Sequence, residues 1–135
     1  MATARAARLS HLGLPVSDLT KSVAFYEKWA GMKVQSKSND PGVRSTRLAQ
    51  SAGGFILSLL AGPMPMAMPG VMHLGFDCAT KAEVDKLATD AKKAGVPTVG
   101  PTDGGPGLGY QLFLADPDGN NLEFAFGQTV GVAEE

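Results

Sequence analysis

The chain carries two histidines, His11 and His73, and they stand in matching surroundings: Ser10-His11-Leu12-Gly13-Leu14 and Met72-His73-Leu74-Gly75-Phe76. Side chains alternate along a strand. Each imidazole therefore points away from the face carrying Leu12 and Leu14, or Leu74 and Phe76. The glycine two residues on leaves room beside it. Glu123 is the third candidate, flanked by Leu122 and Phe124 in Asn121-Leu122-Glu123-Phe124-Ala125-Phe126. If residues 116–120 close a hairpin, Glu123 falls opposite Phe113. A carboxylate among apolar neighbours in a central strand needs a partner, because burying it bare is expensive. Two imidazoles and one carboxylate make a three-ligand site for a divalent cation, with positions left for water, substrate or dioxygen. The ion would satisfy Glu123 and hold both imidazoles neutral. Blander readings remain open at this point. The histidines suit structural roles or a relic of duplication, and Glu123 suits solvent or a pairing with Arg44 or Arg47.

The elements that must position these residues come from an internal repeat. The offset between His11 and His73 is 62 residues, just under half of the 135-residue chain. That is too long for a solenoid period and suits two copies of one small module. In the first copy, residues 9–16 read as a strand, and Leu19, Val23, Tyr26 and Ala30 recur at helical spacing, with Phe25 and Trp29 widening the stripe. Asp18 or Ser17 serves as cap and Gly31 as stop. Residues 44–49 and 55–60 read as strands around Gly53-Gly54. In the second copy, residues 71–78 read as a strand. Thr80 and Glu83 form a capping box, and Val84, Leu87, Ala88 and Ala91 a helical stripe ending at Gly95. Residues 96–99 read as extended and 102–109 as a glycine-rich loop. Residues 110–115 and 121–126 read as strands joined by the turn Asp116-Pro117-Asp118-Gly119-Asn120. The pattern predicts an α+β fold of two paired βαβββ modules, residues 9–61 and 71–127. Residues 62–70, with three prolines and no charge, form the linker within a single domain.

Composition narrows the function. Hydrophobic residues make up 44% and charged residues 19%, which suits a packed domain rather than a disordered chain. Twelve basic and thirteen acidic residues leave a net charge of -1, which does not favour nucleic acid as a partner. No stretch approaches a membrane span, and the start lacks the apolar run of a secretory signal, so the expectation is a cytoplasmic protein acting on a small molecule. The single cysteine, Cys78, reads as a small core residue. The glycines at 104, 105, 107 and 109 do not open a helix, so they match a phosphate-binding fingerprint poorly. The tail from Gln128 reads as loose.

Longer motifs point to a family. His11-Leu12-Gly13-Leu14-Pro15-Val16-Ser17-Asp18-Leu19, followed by Ser22, Phe25-Tyr26 and Gly31, resembles the opening of vicinal oxygen chelate proteins. Asp116-Pro117-Asp118-Gly119-Asn120-Asn121-Leu122-Glu123 resembles their closing hairpin. The superfamily includes glyoxalase I, bleomycin-resistance proteins, extradiol dioxygenases and fosfomycin-resistance thiol transferases. The resemblance implies curved mixed sheets around a divalent metal (Fe, Mn, Zn, Ni or Co), with ligands at His11, His73 and Glu123. It implies lyase, isomerase, thiol-transfer or dioxygenase chemistry on a substrate with adjacent oxygens, with Glu123 also a catalytic group. It also implies a homodimer in which His11 reaches a metal held by His73 and Glu123 of a second chain.

Departures from the family pattern accompany this. Residues 55–60 lack the carboxylate that glyoxalases usually draw from that strand. Phe113 stands where dioxygenases and fosfomycin-resistance members often have a tyrosine. Gln111, two residues from Phe113 on the same strand face, is expected to orient substrate, and Arg44 or Arg47, Arg47 preferred, to neutralise an anionic group. The alternative is a protein that sequesters an antibiotic or another flat compound without catalysis, with Trp29, Tyr110, Phe113 and the linker methionines as its contact surface.

Overall fold

Alternation and helical stripes translate directly into elements in the computed structural model, which describes residues 7–62 and 67–128. The chain separates into two compact units, Met1–Met66 and Ala67–Glu135. Pro63, Met64, Pro65 and Met66 of the expected linker, and the tail beyond Gln128, lie outside the described residues. Among the described residues the chain forms two four-stranded sheets and two helices.

The N-terminal unit runs β1 (His11–Val16), α1 (Leu19–Ala30), β2 (Lys33–Asn39), β3 (Arg44–Ala49) and β4 (Ile56–Ala61), in the sheet order β1-β4-β3-β2. β1 and β4 are parallel; the other pairs are antiparallel. Asp18 caps α1 by accepting from the Lys21 N–H at 3.0 Å. Gly31 ends the helix in the left-handed region, φ 63°, where a side chain would be strained. Ser22, Phe25, Tyr26, Trp29 and Ala30 are the buried face of α1, and Leu14, Val16, Leu48, Leu57 and Leu59 are buried strand positions of the same unit. Full burial of one such aliphatic side chain contributes about 1.5–3 kcal/mol, which is why the parity of these strands is firmly set. β2 is an addition to the strands read from pattern. Its residues are mostly exposed and polar, as suits an edge strand, so it lacks the apolar alternation that marks the others.

The C-terminal unit repeats the plan: β5 (His73–Asp77), α2 (Lys81–Lys93), β6 (Thr98–Asp103), β7 (Tyr110–Ala115) and β8 (Asn121–Phe126), ordered β5-β8-β7-β6. The capping box forms, with Glu83 N–H donating to Thr80 Oγ1 at 3.2 Å and Ala79 N–H to Glu83 Oε2 at 2.9 Å. Val84, Ala88 and Ala91 form the buried stripe of α2. β6 corrects the expected extent of the glycine-rich loop. Pairing of Thr102 with Gln111 and Asp103 with Tyr110, past an irregularity between Val99 and Thr102, carries the strand to Asp103 and leaves 104–109 as the loop.

The 116–120 turn is locked by its own side chains. Asp116 Oδ1 accepts from the Asp118 and Asn120 N–H groups at 2.9 and 2.8 Å, and Oδ2 accepts from Asn120 Nδ2 at 3.0 Å. Asn120 Oδ1 in turn accepts from the Met68 N–H at 2.6 Å, tying the segment that leads into β5 to this hairpin.

Candidate metal centre

The register of the C-terminal sheet assembles two of the three expected ligands. Leu74 and Phe76 on β5, Leu112 and Leu114 on β7, and Leu122 and Phe124 on β8 share one face, on which Phe76 and Phe124 stack at 5.0 Å. The opposite, open face carries His73 and Gly75 on β5, Glu123 on the neighbouring β8, and Phe113 and Gln111 on β7. Glu123 pairs with Gly75 on one side and Phe113 on the other, as the hairpin reading expects. Gly75 has open space where a Cβ would stand, so nothing on β5 crowds the carboxylate.

His73 Nε2 lies 2.8 Å from Glu123 Oε2. His73 Nδ1 lies 2.8 Å from the Val71 carbonyl, which can only accept, so Nδ1 carries the proton and donates it. In neutral His73 this leaves Nε2 with a lone pair aimed at a carboxylate oxygen. Two lone pairs at that separation need a cation between them, either a proton or a metal. Metal-ligating histidines are held the same way, the far nitrogen donating to a carbonyl so that the near one is free to ligate. Glu123 is 3% exposed, and its Oε1 accepts from Gln128 Nε2 at 2.7 Å. The Phe113 ring meets the His73 ring edge-on, centroids 5.8 Å apart, and limits its swing. The donor set thus fits a divalent cation as a two-ligand half-site. Among the described residues no group of three or more His, Cys, Asp or Glu side chains is gathered as a metal cluster.

The N-terminal sheet places the remaining site residues on its own faces. His11 and Gly13 lie on the open face of β1, with His11 Nδ1 2.8 Å from Ser10 Oγ. Gly13 pairs with Ser58 on β4, and Ser58 pairs with Arg47 on β3. Arg47 therefore shares the open face with His11. Arg44 has the other parity and lies with Lys37 and Thr46 beside α1, around a cleft of about 520 Å³. Arg47 has no ion-pair partner among the described residues.

Two members of the proposed aromatic contact surface are committed elsewhere. Trp29, 8% exposed, is on the buried face of α1, 6.4 Å from Phe25. Tyr110 has the parity of Leu112; its hydroxyl donates to Asp85 on α2, and Lys81 Nζ sits 4.6 Å above its ring. That hydrogen bond, followed by burial and the Asp85 charge, pushes the Tyr110 phenol above the ordinary tyrosine range. Neither ring is on the open face. The residue that pattern reading misses is Gln128. It follows Gly127, whose φ of 75° turns the chain back beside β8, and only that reversal brings the Gln128 amide to Glu123.

A family model for the Glyoxalase/Bleomycin resistance protein/Dioxygenase superfamily matches residues 8–124. The chain belongs to this superfamily. An uncharacterized protein of Pseudomonas aeruginosa is 36% identical to it over 131 residues, covering 94% of each chain. A possible glyoxalase from Bacillus cereus shares 26% identity with a TM-score of 0.72, over 89% of this chain and 99% of that one. The fosfomycin resistance protein FosX from Listeria monocytogenes, in a mutant form complexed with Mn(II) and 1S,2S-dihydroxypropylphosphonic acid, matches with 22% identity and a TM-score of 0.74. That match covers 90% of this chain and 93% of the Listeria chain. The α+β fold of two βαβββ modules is the glyoxalase-like fold of this superfamily. Among the described residues no helix is long and apolar enough to cross a membrane.

Proposed function

We propose that this superfamily member is a metal-dependent enzyme acting on a small molecule whose adjacent oxygens chelate a divalent ion. The observation that carries the reading is the His73 Nε2–Glu123 Oε2 approach of 2.8 Å with His73 Nδ1 already spent on the Val71 carbonyl. The third donor in this reading is His11, at the matching strand position of the N-terminal unit. The Listeria relative supports the coarse chemistry, since its complex pairs Mn(II) with a ligand bearing neighbouring hydroxyls.

A bound divalent ion supplies Lewis-acid stabilisation of a developing oxyanion or enolate. The chain's own residues do the rest. His73 and Glu123 bind, with the His73 ring held by Val71 and Phe113. Glu123 is also the catalytic carboxylate, its Oε1 held by Gln128 Nε2 and its Oε2 beside His73 Nε2. Gln111 and Phe113 line the same open face and orient the substrate, Gln111 Nε2 being held by the Leu108 carbonyl at 3.0 Å. Arg47 receives an anionic group of the substrate, with the neighbouring Ser58 hydroxyl as a second donor. We place the protein in the cytoplasm as a homodimer, with no nucleic-acid or membrane partner. The sequestering alternative is the weaker reading, because Trp29 and Tyr110 face the helices.

The test is elemental analysis of tag-free protein purified without chelator, alongside His11→Ala, His73→Ala and Glu123→Ala. About one divalent ion per chain, lost in each variant, is expected. Unchanged occupancy in all three variants rejects the site. Mixing His11→Ala with His73→Ala protein then asks whether the site is shared between copies: restored binding requires it to be.

A further inference from the structure

Gln128 is no member of the expected ligand set, yet its side chain ends on the buried carboxylate. Its amide Nε2 has two hydrogens. One goes to Glu123 Oε1 at 2.7 Å and the other to the Leu108 carbonyl at 3.3 Å. That carbonyl also accepts from Gln111 Nε2 at 3.0 Å, so both of its lone pairs are used. Leu108 is held in turn by the closed loop 104–109. Gly104 N–H donates to the Gly109 carbonyl at 2.8 Å, and Leu108 N–H to that of Gly105 at 3.2 Å. The loop backbone lies directly against the exit of β8. A Cβ on Gly109 would stand 2.6 Å from the Phe126 carbonyl oxygen and 2.8 Å from Gln128 N, and the φ of Gly109 is 74°. No side chain fits there.

We propose that Gln128 is a positioning residue for Glu123, aimed by the glycine-rich loop, and that it makes the carboxylate a one-oxygen donor. With Oε1 occupied by an amide hydrogen, only Oε2, the oxygen beside His73 Nε2, is presented to a cation. This gives the glycine-rich segment a purpose other than phosphate binding. It is a brace whose glycines let one carbonyl reach the two amides. The inference rests on the metal reading and adds the denticity of the carboxylate and the residue that sets it.

Titration of Mn(II) and Zn(II) into wild type and Gln128→Leu by calorimetry tests it, with the visible spectrum of the Co(II)-loaded proteins as a second readout. Partners of this kind are worth about 10–100-fold in metal affinity, and a loss in that range is expected for Gln128→Leu. Its Co(II) band should fall in intensity as the freed Oε1 joins the coordination sphere. Gly109→Ala, which displaces the brace rather than the amide, should move both readouts the same way. Equal affinities for wild type and Gln128→Leu overturn the inference and leave the metal site standing. So does a weaker variant whose saturated Co(II) spectrum is unchanged, which would make Gln128 a fold-stabilising contact only. Wild type that binds no divalent ion overturns the metal reading and this inference together.

Discussion

The two units share a topology and differ along one row of the open face. In the C-terminal unit the row reads Gly75, Glu123, Phe113; in the N-terminal unit the same register positions read Gly13, Ser58, Arg47. A carboxylate has a hydroxyl as its counterpart, and an aromatic ring a guanidinium. The first-strand histidines differ as well. His73 gives its Nδ1 proton to a carbonyl, which fixes Nε2 as the donor atom, whereas His11 Nδ1 meets the Ser10 hydroxyl, which can donate or accept. The two copies of one frame thus carry different side chains: one sets an imidazole 2.8 Å from a buried carboxylate, and the other has a histidine and an arginine on the same face of its sheet.

The sharpest way to break that comparison is to remove the counterparts in turn. Glu123→Ala should weaken Mn(II) or Zn(II) binding by roughly two orders of magnitude or more, since even the hydrogen-bond partners of ligands are worth about 10–100-fold. Ser58→Ala should leave affinity within about twofold, inside the scatter of independent sites. Calorimetric titration of both variants decides it; comparable losses would mean that the units share the ligand role evenly.

The same asymmetry shows in the turns that close the central hairpins. The β7–β8 turn hangs on Asp116, which accepts three hydrogen bonds, two of them from buried Asn120. The β3–β4 connection is closed by backbone alone, Gly54 N–H to the Ser51 carbonyl at 3.0 Å. Asp116→Ala leaves buried donors without acceptors and should cost about 2–4 kcal/mol, at about 1–3 kcal/mol for each unsatisfied buried group. Ser51→Ala should stay within about 0.5 kcal/mol. Urea denaturation of the two variants gives the numbers, and similar midpoints would remove the distinction.

What the sequence makes legible follows from these contrasts. The Glu123–Phe113 pairing is readable because the five-residue turn has unmistakable chemistry and alternation carries the register inward from it. The two helices are readable because caps, stripes and stop glycines agree. Edge strand β2 is not, because a strand exposed along most of its length needs no apolar period. The parity of Arg44 and Arg47 is not either, because the residues around them alternate weakly. Gln128 is hidden for a different reason. Its partner is five residues back, and only the positive φ of Gly127 makes the chain return to it, a contact that no periodicity encodes.

A smaller effect distinguishes the arginines. Arg47 is on the open face and Arg44 beside α1, so Arg47→Ala should weaken binding of glycolate, a small anion with adjacent oxygens, to the metal-loaded protein. The loss should be about tenfold, or about 1.4 kcal/mol. Arg44→Ala should leave it unchanged. Isothermal titration of both variants checks this, and the reverse order would contradict the assignment of faces.

The smallest effect concerns the strand ends, where the 62-residue offset sets Cys78 against Val16. Val16 is fully buried, while Cys78 is half-buried at the end of β5, its N–H donating to the Ala125 carbonyl at 2.8 Å. Burial first, then the charges of Glu83 and Asp77, push the Cys78 thiol above the ordinary cysteine range. The thiolate is the reactive form, so alkylation by iodoacetamide should be slower in the folded protein than in urea near neutral pH. The gap should close only as pH rises past the folded-state value. A raised value means that the folded chain holds the proton more tightly than the unfolded one. The linked stabilisation is therefore fully present below the unfolded cysteine value and lost as pH climbs through the folded one. Cys78→Val, which imports the residue of the other unit, should abolish that alkaline dependence without loss of fold. A variant whose stability still fell over the same pH interval as wild type would assign the dependence to another group.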